Sequence, residues 1–595
     1  MLTLHQQNRT GIIFLALFVA LAGLLGRLFD LQCLRFERYR ERAQQQQKSV
    51  QRVAPVRGRI LDCNGNVFAM SVLQPALCAD PKMVKDAGAV AHTLEALTGI
   101  PADQLRALLS DPARRFVWIT KDMDEARTAV ARVMIKRGEL PGVFIRELER
   151  RQYPKGALLG NVIGFWNGEG GAAEGLEFAA RDLLEGRAGY RVAKRDNKRR
   201  QFFEEEWKSR QLEAQDGDDI YLTIDQYVQH IAEEELYSAV TQYSPHKAVA
   251  LIMQPRTGQM LAMAMWPAFD PDSRTNFVPG ELQNYAASQI FEPGSTMKAI
   301  VGAAALNEGV VELDSRFYCE NGRWQVTASH ALRDDHPLGE ASFREIIQHS
   351  SNIGMAKVAQ GLGRQVLYTY LRQFGLGRET GMPLVSAESA GILRPPAQWS
   401  QLSMFTIPIG HEVGVTCLQL LAAVATIANK GMRLKPSLVK RVVSAGGQLP
   451  PEATRFNYFD PVIVVSNVIS REAADRITEA MLCVTDKEGT GHLADIPGYS
   501  VAGKTGTAQK FIAGAYRREY VASFVGFVPA SNPELCALVV VDAPKGGYYG
   551  GEVAAPVFRR MCERTLAYLK VPQDRVEPAA VAAPVKSAAP QRAAL

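Results

Sequence analysis

Residues 11–26, GIIFLALFVALAGLLG, carry no charge and no polar side chain, and they restrict this chain more than any other stretch. A helix over them, extended by Leu28 and Phe29 beyond Arg27, nearly spans the hydrocarbon core of a bilayer, and the long Arg27 side chain can reach the interface. A cleavable signal peptide is the competing reading, because Ala20-Leu21-Ala22 has the small-residue pattern of a cleavage site. The apolar run continues past that point, which favours an uncleaved anchor. Orientation is less simple. Only Arg9 precedes the span, whereas Arg27, Arg35, Arg38, Arg40 and Arg42 follow it, and the positive-inside rule alone would leave the bulk of the chain in the cytoplasm.

Behind the anchor the composition is that of a globular protein, with 47% hydrophobic and 22% charged residues among 595, so wholesale disorder and a polytopic membrane protein are both excluded. A net charge of +6 over this length is too dilute for a nucleic-acid surface, and no Lys/Arg run supplies one locally. The 8 cysteines are scattered with no C-x-x-C pair, which argues against a zinc site or a dense disulfide framework.

Residues 28–52 lack Gly and Pro and read as a helix continuing from the anchor. In RGRILDCNGNVFAMSV, Gly58 and Asn64-Gly65 are turn signals beside short apolar strands. Residues 85–140 look helical, and 141–215 are mixed and charged. After Asp216-Gly217-Asp218-Asp219 the pattern becomes α/β: a strand at 220–224, a helix at 226–239, and two strands, 247–253 and 259–265, joined through Pro255-Arg256-Thr257-Gly258. Another strand ends at Asp542, a helix closes at 556–569, and the Ala/Pro-rich residues 571–595 read as a disordered tail.

Two constellations compete for the chemistry. Gly498 to Thr505 matches the phosphate-binding pattern G-x-x-x-x-G-K-[ST], with 538–542 as an apolar strand ending in a carboxylate. A phosphate cradle needs a strand before the loop and a helix start after it. Pro497 disfavours the first, and Gly506, Ala513 and Gly514 disfavour the second. The rival is S-x-x-K, which occurs as Ser244-Lys247, Ser295-Lys298 and Ser437-Lys440. Only Ser295 lies where a loop, Phe291-Glu292-Pro293-Gly294, gives way to a good helix. Such a start offers free N–H groups and positive potential to an oxyanion, and the i,i+3 spacing puts Lys298 on the face of Ser295. Lys298 serves as a base only if neutral, which burial favours. An N-cap serine with a solvated lysine is the bland alternative. Two further elements tip the balance. Ser350-Ser351-Asn352 is the sole S-x-N, placing a hydroxyl and an amide on one turn. Lys504-Thr505-Gly506-Thr507 is the sole K-T-G: Lys504, Thr505 and Thr507 can hold a carboxylate, and Gly506 is expected to let substrate lie against the backbone. S-x-x-K, S-x-N and K-T-G in this order, with gaps of about 55 and 150 residues, form the set of serine β-lactamases and penicillin-binding proteins.

With these residues the chain resembles the class B penicillin-binding proteins, most closely the FtsI (septal) type, from residue 11 to 570. Residues 291–298 are similar to the family's active-site box. Arg57-Gly58-Arg59-Ile60-Leu61-Asp62, Ala79-Asp80-Pro81-Lys82 and Glu174-Gly175-Leu176-Glu177 resemble its pedestal motifs, the stretch from Val162 to Glu177 looks septal, and 546–558 resembles the end of its transpeptidase domain. The resemblance implies an α/β (α+β) fold: a single N-terminal transmembrane helix, a mixed β-rich pedestal, and a transpeptidase domain whose antiparallel sheet is sandwiched by helices. The expected divisions are a cytoplasmic N-terminus (1–10), anchor (11–29), juxtamembrane helix (30–54), pedestal (55–215), transpeptidase domain (216–570) and tail (571–595).

The implied activity is peptidoglycan D,D-transpeptidation in septal wall synthesis, on the outer, periplasmic side of the cytoplasmic membrane, which overrides the arginine count. Ser295 is the implied nucleophile, Lys298 its base and Ser350 the proton relay. Asn352 binds the peptide amide, Lys504, Thr505 and Thr507 the terminal carboxylate, and the N–H groups of Ser295 and Thr507 the oxyanion. The resemblance implies no cofactor and no metal; its partners are D-Ala-D-Ala stem peptides, β-lactams, an FtsW-like glycan polymerase of the SEDS family and other divisome membrane proteins, and no nucleic acid. The alternatives are an elongation-type transpeptidase, a D,D-carboxypeptidase, a β-lactamase using Glu388, the P-loop protein and a non-catalytic scaffold. Three positions depart from the family: Cys63 after the first pedestal motif, Tyr285 after Asn284, and Glu412 in Gly410-His411-Glu412-Val413-Gly414-Val415-Thr416, where a second Gly is common.

Overall fold

A computed structural model describes residues 4–575 of the chain, apart from 112, 167–170, 196–200, 203–211, 274–282, 329, 383–387, 448–460 and 513. The residues group into two units, Met1–Val56 with Glu185–Gly217, and Arg57–Leu184 with Asp218–Leu595.

In the first unit the helix Leu4–Phe29 contains the apolar run, and no residue of the apolar window within Gly11–Leu34 is buried inside the protein. Among the described residues it is the one helix long and apolar enough to cross a membrane. Asp30, just past it, binds Arg27 at 2.8 Å and Arg35 at 2.9 Å. A second helix, Phe36–Gln47, ends earlier than the sequence predicts. Residues Lys48–Val53 form a strand, antiparallel to Gly189–Arg195, with Lys48 opposite Lys194 and Val53 opposite Gly189. A partner some 140 residues away overrides the local helical bias, and Val50 and Val53 suit a strand.

The second unit begins with a mixed sheet in the order Val439–Val443, Asp219–Leu222, Ile60–Leu61, Val67–Ala79, Val117–Thr120, with Val143–Gln152 also paired to Val67–Ala79. The strand read as the start of the catalytic domain, 219–222, therefore belongs to this pedestal sheet, running parallel to Ile60–Leu61. The expected division at 216 is placed before a strand that the pedestal keeps. Helices cover one face of the outer strands through Leu77, Leu94, Leu105 and Ile119. Two of the pedestal motifs meet, with Arg151, in a buried ion triad: Glu177 accepts from Arg57 Nε at 2.8 Å and from Arg151 Nε at 2.7 Å, all three side chains being at most 2% exposed. Asp62 stabilises the Asn64-Gly65 turn by accepting from the backbone N–H groups of Asn64 and Asn66 at 2.8 and 2.7 Å.

The larger part of this unit is a five-stranded antiparallel sheet, ordered Gln259–Trp266, Lys247–Gln254, Leu535–Asp542, Ala515–Val528, Ala502–Ile512. Its strands are apolar on both faces because both are covered. Ala250, Val539 and Phe524 meet helices Gln226–Tyr243 and Ala555–Leu569 through Leu236 and Phe558. Val249, Leu538 and Val525 face the larger core with Ile300, Leu420 and Ile477, which come from helices Met297–Asn307, Cys417–Ala428 and Arg471–Leu482. The order leaves Ala502–Ile512 as an edge strand.

Residues 571–575, expected as the start of the tail, are ordered against the domain. Tyr499 OH donates to Val571 O at 2.6 Å, Ser500 N to Asp574 at 2.7 Å, and Arg575 pairs with Asp495 at 2.6 Å, so residues 571–575 pack on the domain. Residues 576–595 lie outside the described residues.

Removing the charge of Glu177 strips both buried guanidiniums of their shared counter-ion. Glu177→Gln is expected to destabilise this unit by about 3–5 kcal/mol, read as a lowered melting midpoint of the full chain in detergent by circular dichroism. A substitution of exposed Glu147 should leave that midpoint in place.

Candidate active site

The turn carrying Ser295 is built by backbone contacts. Strand Ile290–Phe291 pairs with Val415–Thr416, and Gly294 then takes a left-handed conformation (φ +56°). A tight turn, Gly294–Thr296, leads into the helix Met297–Asn307. Gly410 abuts this turn so closely that a Cβ there would lie 2.1 Å from Gly294 O. Ser295 remains partly exposed, while Lys298, one turn on, is buried with 0% exposure.

The Lys298 amine is surrounded by acceptors. Nζ donates to Ser350 O at 2.5 Å, Asn352 Oδ1 at 2.7 Å and Ser350 Oγ at 3.1 Å. Burial lowers its pKa to about 7, against the opposing pull of Asp334 and Asp335. Lys504 is also fully buried, and its pKa is pushed well below the usual lysine range by burial and by the nearby Lys298 charge. Two ammonium charges side by side in this interior are unfavourable. The neutral amine that general-base chemistry requires is therefore accessible near neutral pH.

Ser350 itself is strained, a serine at φ +59°. Asp334, which the motifs did not reveal, secures that turn. It accepts from Ser351 Oγ at 2.6 Å, Asn352 N at 2.5 Å and Ile353 N at 3.0 Å, capping the helix Asn352–Leu362. Asn352 Nδ2 donates to Arg333 O at 2.8 Å, which fixes the amide with its oxygen toward Lys298.

Opposite lies the edge strand Ala502–Ile512. Thr505 Oγ1 is 3.0 Å from Thr490 Oγ1, whose hydroxyl also reaches Gln348 O at 3.3 Å, two residues before Ser350. Thr507 Oγ1 accepts from Gly550 N at 3.0 Å. Gly506 differs from expectation. A Cβ there would meet Ser523 Oγ at 2.3 Å, Thr296 Cγ2 at 2.8 Å and Pro293 O at 3.0 Å. The missing side chain lets this strand dock on the turn of the nucleophile, and the room expected for substrate is taken by protein.

The competing constellations come apart. After Thr505 the chain continues as strand to Ile512, where a phosphate cradle needs its own helix start, so residues 498–505 do not form one. Ser244 ends a helix with φ +42° while Lys247 stands 4.1 Å from the Tyr285 ring. Ser437 bonds through its backbone to Gly258 and Met260, and Lys440 reaches Cys63 O at 3.3 Å. Glu388 accepts from the Thr380 N–H and hydroxyl and from the N–H of Gly381.

The departures at the rim have local causes. Glu412 stands at φ +60°, with its carboxylate bound by Ser403 Oγ at 2.7 Å and Thr406 Oγ1 at 2.5 Å. Its N–H donates to Glu292 Oε1 at 2.9 Å, and His411 Nδ1 is 2.8 Å from Glu292 Oε2. Tyr285 is buried under Lys247. Burial and Asp225 push the Cys63 thiol up to about 11, which keeps it protonated.

Residues 248–563 match the penicillin binding protein transpeptidase domain, and residues 52–222 match the penicillin-binding protein dimerisation domain. The chain is 31% identical to PenA, a probable peptidoglycan D,D-transpeptidase of Neisseria meningitidis, over 97% of this chain and 96% of the relative. It is 31% identical to the peptidoglycan D,D-transpeptidase FtsI of Escherichia coli K12 over 94% of this chain and 91% of the relative. The chain belongs to the penicillin-binding transpeptidases. Among solved structures, penicillin binding protein 3 of Mycobacterium tuberculosis in complex with aztreonam superposes with a TM-score of 0.67 at 25% identity, covering 88% of this chain and 98% of that one. This penicillin-binding transpeptidase keeps strand Asp219–Leu222 within the dimerisation-domain match, in agreement with its place in the pedestal sheet.

Asp334 and Thr490 are the site residues that sequence reasoning missed. Asp334 lies in a turn-like Arg333-Asp334-Asp335, and Thr490 in Glu488-Gly489-Thr490-Gly491, but no spacing rule ties either to a motif.

If Lys298 must be neutral to act, acylation by a penicillin should slow about tenfold per pH unit below about 7 and level off above it. Asp334→Asn removes a charge that raises the Lys298 pKa, so the acid limb should move to lower pH; stopped-flow acylation rates against pH check both.

Proposed function

We propose that this penicillin-binding transpeptidase is a membrane-anchored peptidoglycan D,D-transpeptidase of septal wall synthesis that works through a Ser295 acyl-enzyme. The observation that carries this is the buried Lys298 amine, held by Ser350 and Asn352 with its pKa lowered to about 7. The Ser295 hydroxyl proton passes to neutral Lys298 as Oγ attacks the carbonyl of the penultimate D-alanine. The N–H groups of Ser295 and Thr507 hold the oxyanion, a preorganised pair whose members are typically worth about 3 kcal/mol each. Lys298 returns the proton through Ser350 to the departing D-alanine nitrogen as the C–N bond breaks. An amine of a neighbouring stem then attacks the ester, its proton returns by the same route to Ser295 Oγ, and the cross-link is made.

Lys504, Thr505 and Thr507 hold the terminal carboxylate, and Asn352 holds the peptide amide. The depressed Lys504 pKa suits this role, because a bound carboxylate stabilises the ammonium form. The exposed apolar helix anchors the protein in the cytoplasmic membrane, and the polymer substrate requires the catalytic domain on the outer, periplasmic side. The name of the E. coli relative supports the septal assignment. An FtsW-like polymerase and divisome membrane proteins are the partners this role implies.

A fluorescent penicillin should label the full-length protein covalently, and Ser295→Ala should abolish the label. Lys298→Ala should slow acylation by about 10²–10⁴-fold. Labelling that survives Ser295→Ala would reject the site assignment. Release of D-alanine with water as sole acceptor would mark a carboxypeptidase, and normal division in cells carrying only Ser295→Ala would mark a scaffold.

A further inference from the structure

Past Thr507 the edge strand forms one wall of a cavity of about 930 Å³, through Ala508, Gln509 and Lys510. Asn352 and Arg333 stand on another wall, and Ser295, Lys298 and residues 504–507 do not line it. The cavity thus adjoins the catalytic centre on one side. With the reading above, on which this inference rests, the direction of the donor peptide follows. Its terminal carboxylate lies at Lys504, Thr505 and Thr507 and its scissile carbonyl at Ser295. The residues N-terminal to the D-alanyl pair must then run along Ala508 into the cavity. An unpaired edge strand can take such a peptide as an added strand.

The charges that line the cavity are mostly occupied. Lys510 is paired with Asp542 at 2.8 Å, and Lys247 lies over the Tyr285 ring at 4.1 Å. His411 is 2.8 Å from Glu292, and Glu412 is taken by Ser403 and Thr406. Arg333 and Arg394 are different. Both are exposed and line the cavity, and neither has an acidic partner among the described residues. Arg333 is also fixed relative to the chemistry: its carbonyl accepts from Asn352 Nδ2 at 2.8 Å, and Asn352 Oδ1 accepts from Lys298 at 2.7 Å.

We infer that Arg333, with Arg394, forms a subsite for a carboxylate carried by the donor stem peptide upstream of D-alanyl-D-alanine. Two stem residues can supply that group: a diamino-dicarboxylic acid at the third position, or the free α-carboxylate of an isoglutamyl residue at the second. A guanidinium recognises either as a bidentate partner, and the flanking strand fixes which residue comes within reach.

The test uses full-length protein in detergent with pentapeptide donors ending in D-alanyl-D-alanine and glycine as acceptor amine, and measures D-alanine release. In one arm the third residue is diaminopimelate or its carboxamide; in the other the second is isoglutamate or isoglutamine. The expected result is a preference of about tenfold in kcat/KM for the carboxylate form in one arm, carried by KM, and that arm identifies the residue read. Arg333→Gln or Arg394→Gln should bring the ratio toward unity, and Arg333→Lys should retain part of it. The ratio within each variant is independent of how much of that variant folds. Equal turnover of carboxylate and amide donors by the wild type, or an unchanged preference in both glutamine variants, overturns the subsite. Failure of the fluorescent penicillin to modify Ser295, together with no D-alanine release from any donor, overturns the transpeptidase reading itself.

Discussion

A lysine amine buried without a carboxylate of its own is the constraint around which the catalytic domain is arranged. Lys298 has 0% exposure, and its contacts are a backbone carbonyl, a hydroxyl and an amide oxygen, none of them charged. Neutral, the amine donates to two of these groups and accepts from the Ser350 hydroxyl, whereas a buried ammonium has no counter-charge in contact, so the neutral form becomes accessible. A salt bridge in the same place would hold the proton and end its use as a base. The acid that is near, Asp334, is occupied with Ser351 Oγ and the N–H groups of Asn352 and Ile353, and acts on Lys298 at a distance.

Holding that amine in place requires two layers of backbone to approach closely, and glycines make this possible. Gly410 lies on Gly294, Gly506 on Thr296 and Pro293, and Gly550 on Gly506, with a Cβ at Gly550 falling 2.3 Å from Gly506 O. Each contact fixes the edge strand or the Ser295 turn without a side chain between them. Thr490 adds a polar link across the cleft, joining the Thr505 hydroxyl to Gln348 beside the Ser350 turn. The sheet, the turn and the helix start are thus tied to one another by short-range contacts, which hold the acceptors around Lys298 rigid.

Much of this was legible because it is local. The hairpin around Pro255-Arg256-Thr257-Gly258, the closing helix, the long apolar N-terminal helix and the helix that starts just after Ser295 follow from residue pattern. What escaped depends on partners distant in sequence. Lys48–Val53 is a strand only because Gly189–Arg195 pairs with it, and 219–222 joins the pedestal because Ile60–Leu61 and Val439–Val443 flank it. Asp334 and Thr490 act through contacts with residues 15 or more positions away, and no periodicity records them. The role of Gly506 was misjudged for the same reason: a strand glycine signals a close approach, but the sequence does not say to what.

Burial brings the loss of the Lys298 proton into the range near neutral pH, and that protonation can be observed directly. Carbon-13 at the lysine Cε positions, with the Lys298 signal assigned through Lys298→Arg, gives its titration by NMR in the full-length protein. A midpoint near the value of about 7 that burial sets is the result this account predicts. A midpoint near the ordinary 10.5 would mean a solvated or ion-paired ammonium and would contradict it.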